Sequence, residues 1–211
     1  MVSYLTVARD AEAEIEVKRS RFLCTLRRVD DEAAARAVVE SLRRQHWDAR
    51  HHCSAFRLHP DVERSSDDGE PAGTAGAPML EVLRGHSGSG VSDVVAVVTR
   101  WFGGTLLGAG GLVRAYGDAV REALAEAGTL RRSLVREHLL DLDHAAAGRV
   151  ESDLRARGIA VLDAQHGALV TLRLGVPPEQ EGRLAALVAE LTSGAAETRV
   201  AGERWVDSLD A

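Results

Sequence analysis

A run of five glycines is the feature of this sequence with the clearest chemical potential. Gly103, Gly104, Gly108, Gly110 and Gly111 lie between a valine-rich apolar segment and a segment with helical periodicity. Free backbone N–H groups and the helix dipole at such a junction can hold an anion. The same glycines could instead only supply positive φ angles in a tight connection, and the pattern leaves both interpretations open.

The glycine run matches neither of the two common phosphate-binding motifs. In the dinucleotide motif a third glycine packs the helix against the strand, whereas residues 108–113 end in valine at that place. In a P-loop the last glycine is followed by Lys and then Ser or Thr, whereas Ala109-Gly110 stands there in this chain. An anion bound here would therefore be held by other groups.

Arginine and aromatic side chains surround the glycine run. Arg100, Trp101 and Phe102 precede it and Arg114 follows it, a combination suited to phosphate pairing and base stacking but also common in protein interfaces. Strand alternation places Arg100 and Phe102 on one face and Trp101 on the other, so one aromatic ring is expected in the core. We expect Arg114 in the first turn of the next helix, where the dipole disfavours a cation unless an anion faces it.

An acidic cluster in a polar segment is a second candidate site. Residues 65–70 read Ser-Ser-Asp-Asp-Gly-Glu, and their carboxylates could bind magnesium, act in acid–base chemistry or face Arg114. Asp-Gly is also a turn signal. The segment His51-His52-Cys53 resembles a metal-binding triplet, but only its first and third side chains share a strand face, which favours a structural role. We assign no metal, no cofactor and no catalytic residue from the sequence.

Strands and helices that alternate along the first half position these residues. The run at 93–102 is predicted as the central strand, because it is continuously apolar and therefore typical of a strand covered on both faces. The polar residues 59–76 are predicted as a long loop that folds back against the glycine run. Apolar spacing further predicts strands at 12–18, 21–29 and 50–58 and helices at 32–45, 78–85 and 112–128.

The second half shows a different order of elements. Residues 128–132 interrupt the helical pattern, so we expect two domains, at 1–130 and 131–211. The order βαββαβ is that of the ferredoxin-like split arrangement, with two helices on one face of an antiparallel sheet. The predicted elements are strand 133–142, helix 144–157, strands 159–165 and 168–176, helix 178–192 and strand 197–206.

Composition narrows the classes of protein to consider. The 211 residues are 45% hydrophobic, enough for a sizeable core, and the net charge of −6 argues against unspecific attraction to phosphate. Any contact with nucleic acid is therefore expected to be local. The chain has no apolar run of membrane-spanning length, its first residues carry acids where a secretory signal would be apolar, and it has only two cysteines. We expect a cytoplasmic protein that does not contact membranes, and its oligomeric state stays open.

Four ordered blocks in the first half form a specific signature. They are KRSRFL at 18–23, HHCSAFRL at 51–58, ERSSDDGEPAGTAGAPMLEVL at 63–83 and VVTRWFGGTLLGAGGLVRAYGDA at 97–119. Together they resemble the IMPACT/YigZ family. The resemblance implies an α+β protein, with an N-terminal domain of the ribosomal protein S5 domain 2-like fold. It also implies a small ferredoxin-like βαββαβ domain similar to the last domain of elongation factor G.

The resemblance favours a translation-linked binding protein for RNA, the ribosome or a translation factor over an enzyme. The alternative is an enzyme or binder that acts on a phosphorylated small molecule or nucleic acid at the same loop, since a fold alone decides neither. We place the ligand- or nucleic-acid-binding surface on the two matching blocks around the acidic cluster and the glycine run. Its predicted residues are Ser66, Asp67, Asp68, Gly69, Glu70, Thr74, Arg100, Phe102, Gly103, Gly104, Gly108, Gly110, Gly111 and Arg114.

Overall fold

The computed structural model describes residues 2–208, which fold into a mixed α+β structure of two compact units. The first unit comprises Tyr4–Arg131, and the second comprises residues 2–3 and Arg132–Ser208. The division lies one residue from the proposed domain boundary at 130/131. Within the described residues no helix combines the length and the apolar character needed to cross a membrane.

The elements follow one another along the chain in the predicted alternation. The strands are β1 (Ser3–Val7), β2 (Ala11–Val17), β3 (Ser20–Arg28), β4 (His51–Leu58), β5 (Val62–Ser66), β6 (Val94–Trp101), β7 (Thr129–Leu142), β8 (Ala160–His166), β9 (Val170–Val176) and β10 (Thr198–Ser208). The helices are α1 (Glu32–Gln45), α2 (Gly76–Gly85), α3 (Ala109–Ala127), α4 (His144–Ala156) and α5 (Glu181–Thr192).

The first unit is built on a five-stranded antiparallel sheet in the order β2-β3-β6-β4-β5, so β6 is the central strand as predicted. Its side chains alternate between two cores. Val94, Ala96 and Val98 enter the core that α2 and α3 cover, whereas Val95 and Val97 enter the core under α1. The continuous apolar run therefore reflects helices on both faces of the sheet.

Helix α1 has the predicted bounds, and its sequence explains both its start and its buried face. The Asp31 side chain caps the N-terminus by accepting a hydrogen bond of 2.7 Å from the Ala34 N–H. Ala35 and Leu42, on one stripe of the helix, are buried against the sheet.

Three predictions for the first unit are wrong in detail. Residues 59–76 are not one loop, because they contain β5, which pairs with β4 at the edge of the sheet. The last three residues of β5 are exposed, so apolar alternation could not reveal the strand. Helix α3 begins at Ala109, so Gly110 and Gly111 are helical and are not part of the connection. The sequence pattern also missed β1.

The second unit has the predicted order βαββαβ. Its sheet contains β8, β9 and β7 in that order, and β10 also pairs with β7. Helices α4 and α5 pack on this sheet around a core that includes Leu140, Leu172, Leu154 and Leu184, all of them fully buried. Residues 129–132 form the first part of β7. The helical pattern ends at 128–132 because the chain passes from α3 directly into this strand.

Candidate functional site

A pocket of about 440 Å³ in the first unit lies where the acidic cluster meets the glycine run. The two segments contribute Glu70 and Pro71 from one side and Phe102 and Gly108 from the other. The predicted fold-back of the polar segment onto the glycine run is confirmed for these residues. The remaining lining residues are Arg50, His51, Arg100, Leu106, Leu107, Ala109 and Leu112.

A buried ion pair lines this pocket. Arg100 Nη1 donates to Glu70 Oε1 at 2.5 Å, and the two side chains are only 7% and 4% exposed. The guanidinium of Arg100 also lies over the rings of Phe22 and Phe102, at 5.3 and 5.8 Å from their centroids. Arg100 is thus fixed by a carboxylate and two aromatic faces, and the position of Glu70 is fixed with it.

Tyr116 and Cys53 continue this polar cluster into the core. The Tyr116 hydroxyl donates to Glu70 Oε1 at 2.8 Å, and the Cys53 sulfur lies 3.3 Å from that hydroxyl. Burial raises the pKa of the Cys53 thiol to about 12, and it also raises the pKa of Tyr116. Both groups therefore keep their protons at neutral pH, and Cys53 is not a thiolate nucleophile.

Asp67 organises the loop before Glu70 and does not face the pocket. Its carboxylate accepts backbone hydrogen bonds from Gly73 (2.7 Å), Ala75 (3.0 Å) and Gly76 (2.8 Å). Burial alone would raise the pKa of Asp67, but the three N–H donors outweigh it and leave the pKa lowered. Since Ala75 provides no side-chain cap for α2, Asp67 caps that helix from eight positions upstream.

Asp68 also makes contacts inside the protein. Its carboxylate accepts from Arg43 Nη2 at 2.5 Å and from the His52 N–H at 2.7 Å. Its backbone carbonyl accepts from His51 Nδ1 at 2.8 Å, which directs His51 Nε2 towards Glu70 Oε1 at 3.9 Å. Among residues 2–208 no group of three His, Cys, Asp or Glu side chains is placed to hold a metal ion.

The glycine run turns out to combine turn geometry with one helix N-terminus. A Cβ on Gly103 would lie 2.0 Å from the backbone of Arg19, so only glycine fits there. Gly108 has φ +73° and precedes α3, and its carbonyl accepts from Gly111 and Leu112. The backbone N–H groups of Ala109 and Gly110 then have no acceptor in the described part of the chain. The N-terminus of α3 therefore opens at the pocket with two unbonded N–H groups.

Only part of the predicted site set lines the pocket. Glu70, Arg100, Phe102 and Gly108 do so. The other predicted residues lie elsewhere: Ser66 lines a different groove with Arg43, Gly69 packs near His51, and the Thr74 hydroxyl donates to the Pro71 carbonyl. Asp67, Asp68, Gly103, Gly104, Gly110, Gly111 and Arg114 do not line it.

The expectation that one of the two adjacent aromatic residues is buried is wrong. Phe102 is 47% exposed, and Trp101 is partly exposed on the opposite face, where Arg21 lies 4.7 Å over its ring. Phe102 follows the last residue of β6, whereas the Trp101 ring contacts His46 at the C-terminal end of α1, with the ring centroids 5.3 Å apart. Phe102 is therefore available at the pocket.

The expectation for Arg114 is also wrong. Arg114 lies in the second turn of α3, outside the pocket, and its exposed side chain makes no hydrogen bond or ion pair with residues 2–208. Within the acidic cluster, Arg100 holds Glu70 and Arg43 holds Asp68.

Replacing Arg114 with alanine is expected to change the free energy of unfolding by less than about 0.5 kcal/mol, as at other exposed positions without contacts. Urea unfolding followed by circular dichroism measures this change. A loss of 1 kcal/mol or more would mean that Arg114 pairs with a carboxylate in solution, as in a latch to the acidic cluster.

Two polar residues that line the pocket, Arg50 and His51, were not predicted as site residues, and neither was Tyr116, which bonds Glu70 from the core. His51 and Arg100 are directly paired in the register of β4 and β6, and Arg50 precedes His51. A correct prediction of that antiparallel pairing would have placed His51 and Arg50 beside Arg100. Tyr116 belongs to the buried stripe of α3, and its role depends on a carboxylate 46 residues away, for which the sequence holds no local signal.

Comparisons with known proteins match almost the whole chain. The family model of the Impact N-terminal domain matches residues 18–124, and that of a domain of unknown function, DUF1949, matches residues 140–195. The IMPACT family member YvyE of Bacillus subtilis is 38% identical over 199 residues, which cover 93% of this chain and 90% of the relative. The IMPACT family member YigZ of Escherichia coli is 40% identical over 198 residues, with coverages of 92% and 96%.

A solved structure described as that of a hypothetical protein is 39% identical to this chain, with a TM-score of 0.62. The match covers 94% of this chain and 97% of the other.

Proposed function

This chain belongs to the IMPACT family, and from that membership and the geometry of the pocket we propose that it is a translation-linked, cytoplasmic binding protein. It contacts RNA, the ribosome or a translation factor through the face around the glycine run. Among these partners the side chains at the pocket favour RNA.

The observation that carries this proposal is the combination of side chains around the pocket. Phe102 is 47% exposed and Leu106 is 81% exposed, and both line the same pocket as Arg50. Arg50 is exposed and has no side-chain partner in the described residues, so its charge is available to a phosphate. An aromatic face beside an unpaired arginine is the arrangement that single-stranded RNA uses for stacking and backbone contact.

The alternative, an enzyme or binder for a phosphorylated small molecule, would use the same pocket. Among residues 2–208, the carboxylate of Glu70 is the one acidic group that lines it. However, Glu70 Oε1 already accepts hydrogen bonds from Arg100 and Tyr116, and Cys53 keeps its proton. These contacts favour binding over chemistry.

Replacing Arg50 with alanine is expected to weaken binding of single-stranded RNA and to lower the slope of log K against log salt by about 0.7, the value for one phosphate contact with a single strand. Stability should not change, because the Arg50 side chain has no partner to lose within residues 2–208. Fluorescence anisotropy with a labelled oligonucleotide at several salt concentrations measures both quantities.

The matched control is Arg44→Ala. Arg44 is exposed, has no side-chain partner in the described region and does not line the pocket. If the two variants bind RNA equally well, the pocket face is not the RNA surface. If ribosomes but not free RNA depend on Arg50, as seen by co-sedimentation, the partner is the assembled particle.

A further inference from the structure

The pocket provides two features that attract an anion. The N-terminus of α3, with the unbonded N–H groups of Ala109 and Gly110, opens where Gly108 and Ala109 line the pocket. Arg100 lines the same pocket, its side chain is 7% exposed, and its Nε atom has no hydrogen-bond acceptor in the described residues. A buried arginine donor without an acceptor is costly unless a ligand supplies one.

Arg50 adds a positive charge at the rim of the pocket. Its side chain is exposed and has no partner in the described part of the chain. The helix N-terminus, Arg50 and the free donor of Arg100 together favour a phosphate group. They outweigh the carboxylate of Glu70, whose charge Arg100 already balances.

Glu70 supplies an acceptor for a second part of the ligand. The hydrogen bonds that Glu70 accepts from Arg100 and Tyr116 both reach Oε1, and no described residue donates to Oε2. Since Glu70 lines the pocket, Oε2 is suited to accept a hydrogen bond from a hydroxyl group. Carboxylates bind the hydroxyls of ribose in this way in dinucleotide sites.

The remaining wall is apolar and partly aromatic. Phe102, Leu106, Leu107 and Leu112 line it, and Phe102 offers its ring for stacking. A volume of about 440 Å³ lies in the range of small-molecule sites. This wall suits a planar heterocyclic base.

From these three parts we infer that the pocket binds one phosphorylated nucleoside unit. Its phosphate sits at the N-terminus of α3 with Arg50 and Arg100, its ribose hydroxyl on Glu70, and its base on Phe102 and the leucines. The inference deepens the proposed function and rests on it, because both use the same pocket. The unit can be a free nucleotide or the phosphorylated end of an RNA.

The test measures binding of AMP, adenosine and ribose 5-phosphate to the full chain by titration calorimetry. AMP should bind at least about tenfold more tightly than either fragment, because adenosine lacks the charged group and ribose 5-phosphate leaves the apolar wall empty. If adenosine binds as tightly as AMP, or if AMP does not bind at millimolar concentration, the inference is wrong.

Ala109→Glu is the decisive variant. A carboxylate in the first turn of α3 favours the helix, so the protein should remain folded, but it competes with the phosphate and should weaken AMP binding about tenfold or more. Ala33→Glu is the matched control, since Ala33 is exposed in the first turn of α1 and does not line the pocket. An equal loss in both variants, or none in Ala109→Glu, would contradict the inference.

RNA oligonucleotides with and without a 5′-phosphate distinguish the two sources of the unit. A 5′-phosphate that strengthens binding in the wild type but not in Ala109→Glu identifies an RNA end, whereas equal affinities together with AMP binding identify a free nucleotide. RNA binding that depends on Arg50 while AMP does not bind would leave the proposed function standing and this inference wrong. AMP binding without RNA binding would support this inference and contradict the proposed function.

Discussion

Replacing Arg100 with methionine is expected to lower the free energy of unfolding by about 3–5 kcal/mol, the usual cost of removing one partner from a buried ion pair. The substitution leaves the carboxylate of Glu70, only 4% exposed, with the Tyr116 hydroxyl as its donor at 2.8 Å. Methionine keeps most of the volume, so the loss reports on the unpaired charge and not on a cavity. Urea unfolding at neutral pH measures it.

Two further variants show whether burial is the cause. Arg36→Met removes an ion pair of the same 2.5 Å length, with Glu32, but those side chains are 70% and 36% exposed, so we expect a loss of at most about 0.5 kcal/mol. Adding Glu70→Gln to Arg100→Met removes the uncompensated charge and should recover a large part of the stability. If Arg100→Met costs no more than Arg36→Met, water reaches the pair in solution.

Replacing Asp67 with asparagine is expected to cost about 2 kcal/mol at neutral pH. The carboxylate accepts from three backbone N–H groups and caps α2, and charged hydrogen bonds and helix caps each contribute on this scale. Asparagine retains one oxygen, so its NH₂ group must face at least one of these donors. Asp61→Asn is the control, because exposed Asp61 has no side-chain partner in residues 2–208 and should lose less than about 0.5 kcal/mol.

The cost of Asp67→Asn should depend on pH. Because the pKa of Asp67 is lowered in the folded protein, its charge stabilises the fold fully above the unfolded pKa of about 4, and this contribution disappears as the pH falls through the folded value. The difference between wild type and variant should therefore be constant from pH 7 to 5 and shrink in more acidic solution. A difference that stays constant down to pH 3 would show that the charge is not involved.

Local patterns were sufficient for most of the fold. The valines of β6 predicted a central strand because both faces of that strand are buried, and the apolar stripe predicted the bounds of α1. The same reasoning missed β5, an edge strand whose exposed polar side chains carry no burial signal. It also placed the start of α3 at residue 112, three residues too late, because Gly110 and Gly111 suggest a turn although the helix includes them.

The chemistry of the site was predicted less completely. The acidic cluster and the glycine run were recognised as one surface, and they do meet at the pocket. The roles within each were not predictable, because Asp67 and Asp68 are used by backbone and arginine donors inside the first unit while Glu70 alone reaches the pocket. Which carboxylate makes hydrogen bonds within the loop depends on the path of the chain between β5 and α2.

The sequence by itself determined the family, the order of most elements, the burial of β6 on both faces and the segments that carry the candidate site. These follow from local periodicity and from motifs of contiguous residues. Only the tertiary structure decided that Arg100, and not Arg114, pairs with Glu70. The reason is geometric: the pairing of β4 with β6 brings His51 beside Arg100, and the turn from Asp67 to Glu70 places Glu70 against both. Glu70 and Arg100 are 30 residues apart along the chain, so no local sequence pattern reveals their pairing.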